Sequence, residues 1–255
     1  MFSALRFIYR ISPMPLKKII SFMYSRKPGL YIKFILKNAI RKLAVESNRC
    51  NSISEYIDLA YKYRYFGLSI RPEQIKEEIQ GLLNMLAEIK PKTILEIGTA
   101  RGGTLFLLTK VAHEAAHIIS IDLPGGLFGG GYNKAIKPLY ESFSRPLQRI
   151  DLLRMDSHNH DTQIRVEQLL GIRQIDLLFI DGDHTYQGVK RDFEIYSQYV
   201  RSGGMIVFHD IAVHQSNTGC EVNKFWGEVK KHYKHSEIMA NPSQNWAGIG
   251  IIYAP

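Results

Sequence analysis

Residues 175–193 read IDLLFIDGDHTYQGVKRDF, so Asp181, Asp183 and His184 fall within four positions directly after an unbroken apolar run. Carboxylates and imidazoles are the side chains that hold divalent cations and move protons near neutral pH. A second apolar run, MIVFH, ends in the same way with His209 and Asp210. Three others also finish in polar groups. TILEI leads through Glu96 into Gly98, Thr99, Ala100, Arg101, Gly102 and Gly103, HIISI into Asp122, and IDLLRM into Asp156 and Ser157. Gly98 suits a sharp strand-to-helix turn, while Gly102 and Gly103 let a ligand or a neighbouring backbone approach where a Cβ would block it.

Five short apolar runs, at 93–97, 117–121, 150–155, 175–180 and 205–209, have to position these groups. Several are separated by helix-length segments. Continuous apolar strands alternating with helices indicate a parallel sheet buried on both faces, in a doubly wound α/β domain. Ligands of such sheets collect outside the carboxyl ends of the strands, which is where the polar groups fall. Upstream, Ser52 and Glu55 have capping-box spacing ahead of a Tyr-rich helix at 56–66 that Gly67 would close. Pro72 is placed to open a helix whose buried face is Ile75, Ile79, Leu82, Leu83 and Leu86. The Tyr-rich stretch offers ring faces either to a sugar or to the core. The Gly-rich segment 122–134 reads either as a cap that closes over substrate or as a surface connection.

The formal charge is +9, yet residues 1–45 hold ten basic residues and no acid, leaving 23 basic against 24 acidic residues in the rest of the chain. Basicity confined to one segment argues against a nucleic-acid partner. Leu16, Ile19, Ile20 and Met23 repeat with helical spacing, as do Ile32, Ile35, Leu36, Ala39, Ile40 and Leu43, with Lys33, Lys37 and Arg41 on the opposite side. Residues 1–45 therefore read as a basic amphipathic helical extension and residues 46–255 as the α/β domain. Three uses fit the extension: packing on its own domain or on a sister subunit of a homo-oligomer, contact with an anionic membrane surface, or organelle targeting. No stretch has the run of uncharged apolar residues that a membrane span requires, and Arg6 and Arg10 interrupt the one candidate signal-peptide core. Cys50 and Cys220 are too few for a disulfide framework, so the expectation is a cytoplasmic protein, peripheral on a membrane if the basic segment engages one.

The loop after Glu96 can be read as G-x-A-x-x-G, a degenerate dinucleotide fingerprint with Asp122 as the ribose carboxylate. Three features disfavour NAD: Ala100 stands where a pyrophosphate would approach, Arg101 follows it immediately, and Glu96 would oppose phosphate charge. A cofactor with a cationic amino group suits Glu96 better. The segments ILEIGTARGGTLFLL, IISIDLPGG, RMDSH, IDLLFIDGDHTYQGVKRDFEIYSQYVRSGGMIVFHDI and NWAGIGIIY together resemble the class I S-adenosylmethionine-dependent methyltransferases. The resemblance is greatest to the branch of macrolide-sugar O-methyltransferases and of cephalosporin hydroxylase-like and rhamnosyl O-methyltransferase proteins. It covers about residues 70–255 and rests on ordered motifs at five successive strands.

The resemblance implies a Rossmann-like seven-stranded sheet whose last strand, GIGIIY, runs antiparallel. It implies S-adenosylmethionine as cofactor, with the methionine moiety wrapped by Glu96, Gly98, Thr99, Ala100, Gly102 and Gly103, the ribose hydroxyls held by Asp122, and the adenine flanked by Asp156 and Ser157. Asp181 and Asp210 match ligands of a divalent metal, magnesium or manganese, and His184 matches a general base. The chain departs from the pattern at His209, where metal-using relatives carry a second acid, so that His209 either joins the ligands or turns away. The implied reaction is O-methylation of a small-molecule or glycan acceptor, at a hydroxyl of a sugar, glycan or glycoconjugate. DGDHTY stands where amino-methyltransferases of nucleic acid carry a [DNS]PP[YF]-type motif, which speaks against that class. Two rivals stay open: an NAD-type sugar-modifying enzyme, and a non-catalytic methyltransferase-fold module for membrane binding or assembly.

Overall fold

The computed structural model describes residues 28–125 and 131–255. The helix expected around Leu16–Met23 and the middle of the Gly-rich segment lie outside the described residues. Helix α1, Pro28–Ser47, begins at the proline, whose fixed φ suits a first helical turn. It buries Ile35, Leu36, Ala39 and Leu43 and leaves Lys33, Lys37 and Arg41 exposed, as the periodicity predicts. Leu36 and Leu43 join one hydrophobic cluster with residues of the sheet, so this part of the basic segment packs on its own domain. The helix runs through residue 45 without a break.

Helix α2, Ile53–Lys62, carries the capping box in both directions between Ser52 and Glu55. It stops at Lys62 rather than at Gly67. Phe66 and Gly67, with φ of 48° and 82°, instead form the two-residue turn of a small hairpin between β1, Arg64–Tyr65, and β2, Leu68–Ser69. The Tyr-rich stretch serves the core: Tyr63 is buried and donates to the Ala39 carbonyl, and Tyr61 donates to that of Gln74. Helix α3, Lys76–Ile89, begins four residues beyond Pro72. Pro72 is occupied elsewhere, packed against Gly103, where any Cβ would collide with the Ile70 and Pro72 backbone.

The main sheet contains β3 (Thr93–Ile97), β4 (His117–Asp122), β5 (Arg149–Arg154), β6 (Ile175–Ile180), β7 (Val200–His209), β8 (His235–Ile238) and β9 (Ile249–Tyr253) in the order β5-β4-β3-β6-β7-β9-β8. The first five strands are parallel, and β9 lies antiparallel between β7 and β8. Alternate residues enter two cores, Ile94, Leu177 and Val207 on one face and Leu95, Leu178 and Ile206 on the other. Burial on both faces is why the strands are written as continuous apolar runs. The half-exposed strand β8, HSEI, carries no such signature and is not recognisable in the sequence. Helices α4 (Gly103–Val111), α5 (Lys137–Glu141), α6 (His160–Leu170), α7 (Tyr186–Tyr196) and α8 (Val222–Val229) complete the layers. From β3 the chain winds outward through β4 and β5, then crosses to β6 on the other side of β3. That reversal opens a crevice at the carboxyl ends of the strands.

Candidate active site

A cavity of about 620 Å³ occupies this crevice, and Gly98, Ala100, Asp122, Asp156, Ser157, Asp181, His184, His209 and Asp210 all line it. Glu96, Thr99, Gly102 and Gly103 do not; they shape the loop from behind. Gly98, at φ +99°, lies so near β6 that a Cβ would overlap the Asp181 carbonyl oxygen. Gly102 sits left-handed at the N-cap of α4, with the Tyr140 ring 2.9 Å from where a Cβ would stand. The Thr99 hydroxyl is 2.6 Å from that of Ser120, which in turn donates to Glu96. Glu96 is fully buried, and burial pushes its carboxyl group up to about 8, so it is largely neutral at pH 7.

Asp122 ends β4 and ties two loops together, accepting from the Ala100 amide at 2.8 Å and from the Gly131 amide at 3.1 Å. A carboxylate offers about four lone-pair sites, so capacity is left for a ligand's hydroxyls. Asp156 accepts from the His158 amide at 2.9 Å. Asn159 caps α6.

The acidic corner is made by the neighbouring strands β6 and β7. His209 turns its Nδ1 toward the acids, 3.0 Å from Asp181 Oδ1 and 3.5 Å from Asp210 Oδ1. His184 spans the two carboxylates, with Nε2 3.4 Å from Asp181 and Nδ1 3.1 Å from Asp210. Burial alone would lower the pKa of both rings, but the flanking carboxylates outweigh it, taking His184 up to about 10 and His209 well above the usual imidazole range. The same contacts hold Asp181 and Asp210 below the carboxylate range, against the opposing effect of burial. Asp210 adopts φ +65°, a left-handed conformation few residues other than glycine take, and its Oδ1 accepts from the Ala247 amide at 3.1 Å. Asp183 stays out of the corner; its Oδ1 accepts from the Thr185 amide, and Thr185 caps α7.

Several contributors could not be picked out in the sequence. Gln74 donates to Asp181 at 2.8 Å, His214 Nε2 lies 3.3 Å from Asp210, and Cys220 stands close enough to His184 and Asp210 to share a cation with them. Glu78 is fully buried on α3 and accepts from the amides of Ala240 and Gly248 and from the Gln244 side chain. It thereby fixes the segment that brings the half-exposed Trp246 to the cavity wall. The one available signal was an acid inside the apolar stripe of α3.

Asp181, His209 and Asp210 present donor atoms within 4.8 Å of one another, and His209 Nε2 is buried with no hydrogen-bond partner among the described residues. Two carboxylates and an imidazole suit magnesium or manganese by ligand type.

Residues 95–211 match the family model of a methyltransferase domain. The matched stretch is just under half of the chain. The fold around it is that of the class I S-adenosylmethionine-dependent methyltransferases. An O-methyltransferase of Bacillus cereus in complex with SAH superposes with a TM-score of 0.55 at 16% identity, covering 85% of this chain and 100% of that one. The O-methyltransferase TomG of Streptomyces achromogenes, involved in tomaymycin synthesis and solved with SAM, gives a TM-score of 0.52 at 15% identity, covering 83% and 96%. An uncharacterized protein of Acanthamoeba polyphaga mimivirus is 35% identical over 118 residues, which are 46% of this chain and 51% of that protein. The matched segment thus spans about half the length of this curated relative. The stretch matched by the family model runs from within β3 to just past β7 and holds Asp181, His184, His209 and Asp210, but not Gln74, His214 or Cys220. No helix among the described residues is long and apolar enough to cross a membrane.

Proposed function

We propose that the protein is an O-methyltransferase that uses S-adenosylmethionine to methylate a hydroxyl of a sugar, glycan or glycoconjugate, with His184 as general base. The observation that carries this reading is the His184 ring on the cavity wall, in contact with Asp181 on one side and Asp210 on the other. When bound, the cofactor supplies an electrophilic methyl group on a sulfonium, which the acceptor oxygen displaces in line.

The acceptor oxygen is a poor nucleophile until its proton leaves. The two carboxylates hold a proton on His184 near neutral pH, so the ring takes the acceptor's proton only after giving up its own; base catalysis of this kind contributes about 10² to 10⁴ in rate. Asp122 would accept from the ribose hydroxyls, Asp156 and Ser157 would flank the adenine, and the Gly98–Ala100 backbone would face the methionine moiety. Glu96 can pair with the cofactor's ammonium only by giving up the proton that burial now favours. Asp181, His209 and Asp210 would hold a divalent cation, whose charge would favour the acceptor alkoxide. The Trp246 indole on the cavity wall offers an apolar face to the C–H side of a sugar ring. Contact with an anionic membrane through residues 1–45 belongs to the same reading, supported by the outward-facing Lys33, Lys37 and Arg41.

The test is calorimetry with S-adenosylmethionine, followed by mass spectrometry for methyl gain on candidate acceptor glycans. His184→Ala should keep cofactor affinity and lose most turnover, and exhaustive chelation should lower wild-type activity. Turnover unaffected by His184→Ala would remove the base, and turnover unaffected by chelation would remove the metal. A chain that binds the cofactor without methylating any hydroxyl acceptor would be a non-catalytic module.

A further inference from the structure

The loop after β5 is held by one helix at four points. From α7, the Tyr196 hydroxyl donates to the Ser157 carbonyl at 2.7 Å and the Arg191 guanidinium donates to the His158 carbonyl at 3.1 Å. The Gly188 carbonyl lies 3.2 Å from His158 Nε2, and Asp192 Oδ1 lies 3.2 Å from the same nitrogen. A carbonyl only accepts, so Nε2 carries a hydrogen. Asp192 is fully buried, and neither of its carboxylate oxygens has a hydrogen-bond partner among the described residues. A buried carboxylate lacking hydrogen bonds is costly unless a cation stands beside it, and the His158 ring is the group in place to supply one.

His158 lines the cofactor cavity two residues beyond Asp156, and no described protein group accepts from its Nδ1. An imidazolium donates from both nitrogens. Asp156 and His158 therefore offer an acceptor and a donor side by side on the cavity wall, complementary to the amino group and an adjacent ring nitrogen of adenine. We propose that His158, anchored on the buried Asp192 carboxylate, is a binding residue of the adenosine subsite that donates from Nδ1 to a ring nitrogen of adenine. The proposal rests on the S-adenosylmethionine reading of the cavity.

The charged groups facing the ring are Asp192 and Arg191 from α7 and Asp156 from its own loop. The Asp192 contact, with Asp156 assisting and burial and Arg191 opposing, raises the His158 pKa above the usual 6.5. Below that pKa Nδ1 carries its hydrogen. Above it the ring keeps hydrogen on Nε2, where two acceptors wait, and Nδ1 can no longer donate. Affinity for the adenosine moiety should fall as pH rises through this value.

The test is calorimetry of S-adenosylhomocysteine binding from pH 6 to pH 9. Wild-type affinity should weaken with rising pH. His158→Gln should bind about tenfold more weakly at pH 6 and lose that pH dependence. Asp192→Asn should move the transition to lower pH. The amine of the ligand titrates alike in all three proteins, so it drops out of the comparison. The hypoxanthine analogue, which carries a hydrogen on the ring nitrogen and an oxygen in place of the amino group, should lose more affinity in the wild type than in His158→Gln, because both proteins lose the Asp156 contact and only the wild type loses the Nδ1 donation as well. If His158→Gln does not fold, wild-type histidine NMR shifts with and without S-adenosylhomocysteine decide: the His158 pKa should rise on binding, and an unmoved pKa overturns the proposal. Unchanged affinity or a retained pH profile in His158→Gln also overturns it. Failure of the wild type to bind S-adenosylhomocysteine at any pH would instead overturn the cofactor reading beneath it.

Discussion

Glu96 offers a quantitative test of how the cofactor loop is built. Its carboxyl group is fully buried in β3, accepts from Ser120, and has one oxygen with no hydrogen-bond partner among the described residues. Burial raises its pKa from 4.5 to about 8. A group whose folded pKa lies above its unfolded one stabilises the fold fully below the unfolded value and loses that contribution as pH rises through the folded value. Each pH unit in that window is worth about 1.4 kcal/mol, so ionising Glu96 costs the cofactor-free fold about 5 kcal/mol at the limit. Glu96→Gln keeps the shape and removes the titration. Urea denaturation at pH 5, 7 and 9 should show wild-type stability falling relative to Glu96→Gln across this range, by several kcal/mol in total, and levelling off above pH 8. The other buried groups of the corner titrate in both proteins and cancel in the difference. Parallel stability curves for the two proteins would refute the reasoning, because they would mean that Glu96 is already ionised and compensated in the folded chain.

Two further outcomes follow from the loop geometry. Gly98→Ala combines a left-handed φ with overlap on the Asp181 carbonyl, and should destabilise the fold by about 3 kcal/mol or more in the same denaturation assay; a loss under about 1 kcal/mol would mean that β3 and β6 separate easily. Asp122→Ala should weaken S-adenosylmethionine binding by about 1–3 kcal/mol in calorimetry, since the ribose hydroxyls lose an ionised partner while still being desolvated. Unchanged affinity in a folded Asp122→Ala protein would take that residue out of the cofactor site.

The order of the strands' polar endings was legible because a parallel sheet buried on both faces writes each strand as an apolar run and its carboxyl end as the first polar residues after it. Asp122, Asp156, Asp181, His184, His209 and Asp210 all reach the cavity for that reason. Helix α1 was legible by periodicity alone, although which surface its apolar face covers was not. The glycines were legible as close approaches but not in their partners: Gly103 yields to the Ile70 and Pro72 backbone, and Gly98 to Asp181. Side chains that meet across long sequence separations left no local trace. Gln74, just ahead of α3, reaches Asp181 across 107 residues, and Glu78 reaches Gly248 across 170 from a helix whose pattern records only that one face is buried. Asp192 lies in the stretch VKRDF, which reads as an ordinary charged helix, yet it is wholly buried beneath His158. Protonation is the extreme case. The residue types at positions 96, 158 and 184 are written in the chain, but whether each carries a charge depends on how much water the fold removes and which opposite charge it brings alongside, and only the packed tertiary structure sets those two quantities.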